Sequence, residues 1–359
     1  MTNYDYDVIC VGCGHGCDLA ARILARAGKK VAAIERDLWM GTCTNYGCNA
    51  KILLDGPFEL TTAMENYREI GVFDKVPEVN WEKLMQYKLP YFEAVKPLTK
   101  ANMEQSGCVC IHGEGKLKDA HTVVARMEKK GAQFKYCEDV CAIEKSATGL
   151  LVKTEKGFEV ECDYVLQATG RPVNYEGLGL EALGIEAGPR GIKVDDHLRT
   201  SVKNIFAAGD AIDKRIPKLT PTALFESQYI ADLIMGKTTE PICYPVVPNL
   251  VFTFPRIAQV GVSLDAARKD DRYRVVDVPY GQTFLFNTHN EAYAKLAFIF
   301  DRESNLLVGA AAMGSDAGAW IDVLSLVIFN KMTREQFTYY IYAFPTTTCG
   351  PLMMLGQLW

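Results

Sequence analysis

The chain has 359 residues, of which 48% are hydrophobic and 23% charged, with a formal net charge of −5. That length is enough for two or three domains around a large core, and the acidic balance argues against a nucleic-acid surface. No apolar run reaches the length of a membrane span. Residues 1–6 are polar and lead straight into a strand, so no secretory leader is expected. The twelve cysteines are scattered, without the spacing of a disulfide scaffold. In a chain of this size they read as mostly reduced, buried thiols of a cytoplasmic protein.

In chain order, residues 6–11 predict a short buried strand. The turn Gly12-Cys13-Gly14-His15-Gly16-Cys17 follows, then a helix over 18–27 and a second strand over 30–34 that ends at Glu35. Gly12 permits the tight turn, and Gly14 lets backbone approach a pyrophosphate. The helix N-terminus offers free N–H groups and a positive dipole end, and Glu35 stands at the ribose-binding distance in sequence. Cys17 holds the third fingerprint position, where a small side chain preserves close packing, with Ala21 beyond it. Strand, turn, helix and acid together predict a dinucleotide-binding βαβ unit. Cys10, Cys13 and Cys17 are close in sequence, but no recurring His–Cys set with zinc spacing accompanies them, so no metal is expected. Cys108, Cys110, Cys137 and Cys141 read as small core residues.

Next comes Gly41-Thr42-Cys43-Thr44-Asn45-Tyr46-Gly47-Cys48-Asn49-Ala50-Lys51. Two cysteines with four residues between them fit a disulfide at a helix start, where the dipole stabilises a thiolate; two buried thiols are the alternative. The block resembles that of the class I pyridine nucleotide–disulfide oxidoreductases, the family of dihydrolipoamide dehydrogenase, glutathione reductase and mercuric reductase. Their motif is Gly-Gly-Thr-Cys-x-Asn-x-Gly-Cys-x-Pro-Ser/Thr-Lys. Here Met40 replaces the first Gly, and the stretch after Cys48 lacks Pro and is one residue short. The resemblance implies FAD as cofactor, Cys43 as the interchange thiol, Cys48 as the thiol beside the flavin, and Lys51 near the flavin ring.

Later segments extend the resemblance over nearly the whole chain. Residues 200–211, ending Ala207-Ala208-Gly209-Asp210-Ala211, look like the family's second FAD motif, with a strand ending at Gly209 and Asp210 bonding the ribityl chain. Ile216-Pro217-Lys218-Leu219-Thr220-Pro221 matches the loop under the flavin and leads into a helix over 223–235. Residues 251–261 resemble the opening of the interface domain, which implies a homodimer. The implied fold is α/β: an FAD-binding Rossmann-like βαβ domain with a β-meander, plus a C-terminal α+β dimerisation domain. The implied FAD contacts are Gly12, Gly14, Cys17, Glu35, Gly41, Thr42, Gly115, Gly209, Asp210, Leu219 and Thr220.

One family part has no counterpart. Between residues 127 and 200 there is no second strand–GxGxxG–helix unit, which needs about 30 residues, so NAD(P)H lacks an evident site. Met103-Glu104-Gln105-Ser106-Gly107 recurs as Met127-Glu128-Lys129-Lys130-Gly131. The first copy, with Gly113-Glu114-Gly115-Lys116, looks like the FAD-domain version. The second, through Ala168-Thr169-Gly170-Arg171-Pro172, looks like the tail of an NAD(P) domain. The expected boundaries are 1–126 and 171–240 for the FAD domain, 127–170 for that remnant and 241–359 for the dimerisation domain. Strands are expected over 150–154 and 164–168, and the segment 164–170 is expected to close the FAD sheet.

The family's C-terminal His-Pro-Thr-x-x-Glu reads Phe344-Pro345-Thr346-Thr347-Thr348-Cys349 here. Phe cannot transfer a proton, and loss of a general acid–base costs roughly 10²–10⁴-fold. Cys349 reads as a packing residue, an extra electron-relaying thiol or part of a metal-handling pair. The expected function is an FAD-dependent oxidoreductase passing electrons through Cys43–Cys48 to a small-molecule or protein disulfide or another acceptor. The alternative is an impaired flavin-binding protein or redox sensor without NAD(P)H turnover. A simple NAD dehydrogenase leaves the cysteine pair and Asp210 without a role.

Overall fold

A computed structural model describes residues 6–35, 38–112, 119–120, 140–146, 149–165, 170–171, 173, 175, 178–283 and 290–359. The chain divides into two compact units, residues 1–115 with 175–359, and residues 116–174.

The larger unit opens with β1 (Val8–Val11), α1 (His15–Arg26) and β2 (Val31–Glu35). β1 and β2 pair in parallel, Val8 opposite Val31 through Val11 opposite Ile34, because the intervening helix carries the chain back over the sheet. α1 begins at His15, three residues before the expected start. Gly14 is its N-cap in extended geometry (φ −70°, ψ 175°), and no side chain caps it. Ala20, Ala21 and Leu24 on one face of α1 pack with Cys10, Val31 and Ala33 of the sheet and with Cys13 of the turn.

Beyond β2 come α2 (Gly41–Asn45), α3 (Cys48–Arg68), α4 (Trp81–Gln105) and β3 (Val109–His112). β3 adds to β2 in parallel, giving a sheet of order β1-β2-β3. Asn80 caps α4 by accepting from the Lys83 N–H at 2.9 Å. At its other end Gly107 takes φ +92°, and Cys108 N–H reaches back to Met103 O at 3.2 Å. The first Met-Glu-x-x-Gly copy therefore closes a helix, as its sequence predicts, and the second, at 127–131, lies outside the described residues.

In the smaller unit, β4 (Asp119–Ala120) precedes the antiparallel meander β5 (Val140–Lys145), β6 (Leu150–Thr154), β7 (Glu159–Cys162), and β8 (Gly170–Arg171) follows. β6 occupies its expected residues and pairs with an additional strand, β7, whereas residues 166–168 of the strand expected over 164–168 lie outside the described residues. The pairing follows from Gly157 at φ +83°: with Gly157 N–H on Thr154 O at 3.1 Å and Thr154 N–H on Phe158 O at 2.9 Å, the hairpin turns directly after Thr154. The segment expected to close the β1-β2-β3 sheet lies partly outside the described residues. Its described end, Gly170, pairs instead with Asp119 and Ala120 in a two-stranded sheet. A site residue expected from sequence, Gly115, also lies outside the described residues.

The larger unit resumes with a short hairpin, β9 (Ala187–Gly188) and β10 (Gly191–Ile192). The strand expected to end at Gly209 is reduced to one bridge, Arg199 to Phe206, followed by a 3₁₀ turn over Gly209–Ala211. α5 (Thr220–Ile234) starts three residues before the expected 223, with Pro221 in its first turn, where a missing N–H costs nothing.

The C-terminal part is a five-stranded antiparallel sheet of β11 (Asn249–Val251), β12 (Arg256–Gly261), β13 (Tyr273–Val278), β14 (Lys295–Asp301) and β15 (Leu307–Gly314), in the order β11-β12-β15-β14-β13. Between β12 and β13 lies α6 (Leu264–Ala267), and after β15 come α7 (Ala317–Phe329), α8 (Arg334–Thr338) and α9 (Cys349–Leu358). Trp320, Ile321, Leu324, Val327 and Ile328 share the inward stripe of α7, spaced one helical turn apart, and meet Phe298, Phe300, Leu355 and Trp359. Its other face exposes Leu326 and Phe329. No helix among the described residues is long and apolar enough to cross a membrane.

Phe300 is fully buried, 5.9 Å from the Trp359 ring and 4.2 Å from the Arg274 guanidinium. Phe300→Ala is expected to destabilise this core by about 3–5 kcal/mol, measured as a lower urea midpoint, and a loss under about 1 kcal/mol would contradict its central place.

Candidate functional site

Gly12 leaves β1 at φ +79°, its N–H bonded to Ile34 O at 2.8 Å, and Cys13 N–H bonds Glu35 Oε2 at 2.8 Å. The acid at the end of β2 is thereby drawn onto the turn. A Cβ on Gly12 or Gly14 would meet nothing within 4 Å, so this side of the turn is open. The uncapped start of α1 faces that region with its positive end, the environment a phosphate prefers. Beside it, His15 Nδ1 is buried without a partner, and burial lowers the imidazole pKa. Thr222 Oγ1 is a second buried orphan, in the first turn of α5. Two orphaned polar atoms at two helix starts are what a polar cofactor laid across them would satisfy.

The turn thiols point into the protein. Cys13 is fully buried and its Sγ reaches Ile34 O at 3.7 Å; burial pushes the thiol well up. Cys10 is pushed up first by its hydrogen bond with Cys17, then by burial. Cys17 packs half-buried against the α1–sheet core, the role its small size predicts. Among the described residues, the group whose metal-ligand atoms gather within 4.8 Å is Asp195, Asp196 and His197, not these thiols. Asp195 accepts from the N–H groups of His197 and Arg199, and His197 is tied to Asp196 and to Thr239 O, so the three fasten their own turn.

Cys43 in α2 and Cys48 at the head of α3 form a disulfide with Cα atoms 4.9 Å apart. Gly47 permits the reversal between the helices, since a Cβ there would lie 3.1 Å from Thr42 O and 3.2 Å from Cys43 Cα. Asn45 fastens the block by donating to Trp39 O at 2.8 Å and Gly41 O at 2.9 Å, and Thr42 O accepts the Tyr46 N–H at 2.8 Å. Cys48 Sγ lies 3.6 Å from Thr220 Oγ1, at the head of α5 one residue after its N-cap Leu219.

Two close backbone approaches join these pieces. Gly41, at φ +63°, comes so near the glycine turn that a Cβ would sit 2.9 Å from Gly14 Cα. A Cβ on Gly16 would sit 3.4 Å from Ala208 C and Gly209 N. Gly12, Gly14, Cys17, Glu35, Gly41, Thr42, Cys43, Cys48, Gly209, Asp210, Leu219 and Thr220 thus belong to one connected set of turns and helix starts. Gly16 is the residue sequence reading passed over. Its signal was present as a third glycine in the run, but the fingerprint assigns that packing role to position 17.

Lys51 Nζ lies 3.7 Å from the centre of the Phe252 ring. Arg256 stands 4.7 Å from the same ring and pairs with Asp55 at 2.7 Å and Glu59 at 2.9 Å, anchoring α3 to β12. At the C-terminus Phe344 is 65% exposed, whereas Cys349 is 2% exposed and heads α9. That burial fits a packing role for Cys349.

A sequence profile for pyridine nucleotide-disulphide oxidoreductases matches residues 118–227, and one for the dimerisation domain of the same enzymes matches residues 247–351. Glutathione reductase of Burkholderia cepacia is 25% identical, covering 96% of this chain and 97% of that protein. The alignment runs over 444 positions, more than the 359 residues here, so that relative has residues without a counterpart. Dihydrolipoyl dehydrogenase of Bacillus subtilis is 36% identical over 62% of this chain and 48% of its own length. The crystal structure of LpdA from Mycobacterium tuberculosis shares the fold at TM-score 0.84, with 16% identity over 98% of this chain and 99% of that one.

Gly41→Ala combines a left-handed backbone with contact against Gly14, so it is expected to cost about 1–3 kcal/mol. It should also displace the glycine turn, which thermal unfolding and retained flavin after purification will register together. Unchanged values for both would separate the two loops.

Proposed function

We propose an electron route for this chain, which belongs to the class I pyridine nucleotide–disulphide oxidoreductase family and is therefore an FAD-dependent oxidoreductase of the disulfide-reductase type. The observation that carries the route is the Cys43–Cys48 disulfide, with the Cys48 sulfur against Thr220 where α3 and α5 begin. The residues that would hold FAD are Gly12, Gly14 and Cys17 around its pyrophosphate, Glu35 at its ribose, and Gly41, Thr42, Gly209, Asp210, Leu219 and Thr220 along the remainder; Gly115 belongs with them by its motif. When bound, FAD supplies two-electron exchange with the Cys48 sulfur.

Two electrons and two protons convert the disulfide into two thiols. Cys43, as thiolate, then attacks a disulfide substrate, forming a mixed disulfide and releasing one thiolate. Cys48 attacks Cys43, re-forming the protein disulfide and releasing the second thiolate. The α3 N-terminus favours the Cys48 thiolate. Both leaving thiolates take protons from water, because Phe344 stands where an imidazole would serve; roughly 10²–10⁴-fold in rate is forfeited at that step. Lys51, packed on Phe252, adds positive charge to the α3 start.

The exposed apolar side chains Leu326, Phe329, Tyr339, Ile341 and Phe344 support a homodimer through the C-terminal sheet unit. The nine free cysteines among the described residues suit a reducing compartment such as the cytoplasm. The missing second glycine fingerprint and the alignment gap against glutathione reductase favour an electron donor other than NAD(P)H bound in a domain of its own. The same observations support a second reading, a flavoprotein redox sensor without nicotinamide-driven turnover.

The purified protein is expected to be yellow. Anaerobic dithionite should produce a long-wavelength sulfur–flavin absorption band that Cys48→Ser abolishes and Cys43→Ser retains; no band in the parent protein would sink the route. Neither NADH nor NADPH should bleach the flavin, and bleaching by either would restore a nicotinamide donor.

A further inference from the structure

The Glu226 carboxylate, on α5, is fully buried and belongs to none of the family motifs read in the sequence. Its Oε2 accepts the Gly209 N–H at 2.6 Å. Its Oε1 accepts from Lys214 Nζ at 2.5 Å and from the Tyr244 hydroxyl at 2.7 Å. The Lys214 side chain is itself only 6% exposed. Lys218 completes the arrangement, its Nζ donating to Asp210 O at 2.7 Å and Arg190 O at 2.8 Å. The N–H of Gly209 and the C=O of Asp210 are therefore each fastened by a charged side chain from the loop and helix that follow.

A buried ion pair is a poor source of stability, because desolvating both charges offsets most of their attraction, and apolar replacements are often neutral or better. In some proteins such a pair serves instead to fix one conformation. Here the conformation is unusual: Gly209 stands at φ +70° and opens a 3₁₀ turn carrying Asp210. A Cβ on Gly209 would lie 3.5 Å from Ala223 Cβ and 3.6 Å from Gly16 Cα, so the turn is wedged between the starts of α1 and α5. Any drift of Gly209 moves Asp210 and presses on the glycine turn together.

We propose that Glu226, held by Lys214 and Tyr244, is a positioning residue that sets the Gly209–Asp210 turn for FAD through its bond to the Gly209 N–H, with Lys218 holding the other end of the turn. This rests on the FAD site described above. Beside the turn, Arg190 and Asp213 pair with each other at 3.1 Å.

The test uses full-length apo-protein titrated with FAD, read by quenching of flavin fluorescence, by visible circular dichroism of the bound flavin and by the rise in Tm on adding FAD. Glu226→Gln, which loses charge-assisted bonds, is expected to weaken FAD binding about 10- to 100-fold, and Tyr244→Phe about 3- to 10-fold. Because Glu226→Gln strands a buried Lys214, the double variant Glu226→Gln with Lys214→Met keeps the test decisive. It should fold with an apo Tm close to the parent's, yet show weaker binding, a smaller FAD-induced rise and an altered dichroism spectrum. A double variant that binds FAD as tightly as the parent, with the same spectrum, would overturn the proposal while leaving the FAD reading intact. A parent protein that takes up no FAD would overturn both.

Discussion

Backbone lies against backbone at the heart of the candidate site. A Cβ on Gly41 would clash with Gly14 Cα at 2.9 Å, and one on Gly16 would touch the Ala208–Gly209 peptide at 3.4 Å. These contacts join three segments distant in sequence: the turn after β1, the approach to the disulfide and the turn before α5. They add to the packing of α5 along α1 in bringing the starts of α1, α3 and α5 together. With them, three uncapped helix N-termini belong to one assembly, each bringing unsatisfied N–H groups. The open side of Gly12 and Gly14 and the orphaned atoms of His15 and Thr222 follow from the same arrangement. A fold that assembles donors in this way is completed by a ligand rich in acceptors.

The redox pair depends on that assembly for its setting. Cys43 and Cys48 are brought together locally by the reversal at Gly47, which the spacing of the block makes possible. The contact of Cys48 with Thr220 comes from sequence 172 residues away and exists because α5 packs along α1. Ser227 on α5 meets the Ala20 N–H of α1 at 2.8 Å, and small residues at Ala20, Ala21 and Ala231 allow the close approach. The disulfide is thus a local product placed by a long-range one.

Much of this was legible in the residues. Glycine turns, alternation and the terminal acid revealed β1, α1 and β2, since each rests on short-range rules. The helix starts were misread by three residues at both α1 and α5, because Gly14 and Leu219 act as caps without a capping side chain. β7 was missed in the reading because Gly157 turns the chain sooner than the apolar run after Asp163 suggests. Glu226 was invisible for another reason. An acid amid Leu224, Phe225 and Ser227 looks like one polar position on a helix, and its partners, 12 and 18 residues away, carry no motif. Burial of a charge is a property of the assembled fold, not of any local pattern.

The remaining thiols give the protein a chemical asymmetry. Cys10, Cys13 and Cys108 lie in the core with their S–H groups held on by burial and by neighbouring thiols, and Cys110 is pushed up to about 11. Thiolate is the form that oxidants and alkylators attack. Cys17 is the exception among these turn thiols, its pKa lowered by the hydrogen bond with Cys10, and the Cys43–Cys48 couple answers a change in thiol poise in steps of two electrons. Cys141 and Cys243, which are exposed, remain open to adduct formation. Two-electron exchange is thus placed at a pair on a helix start, and single-thiol chemistry is left to the exposed surface.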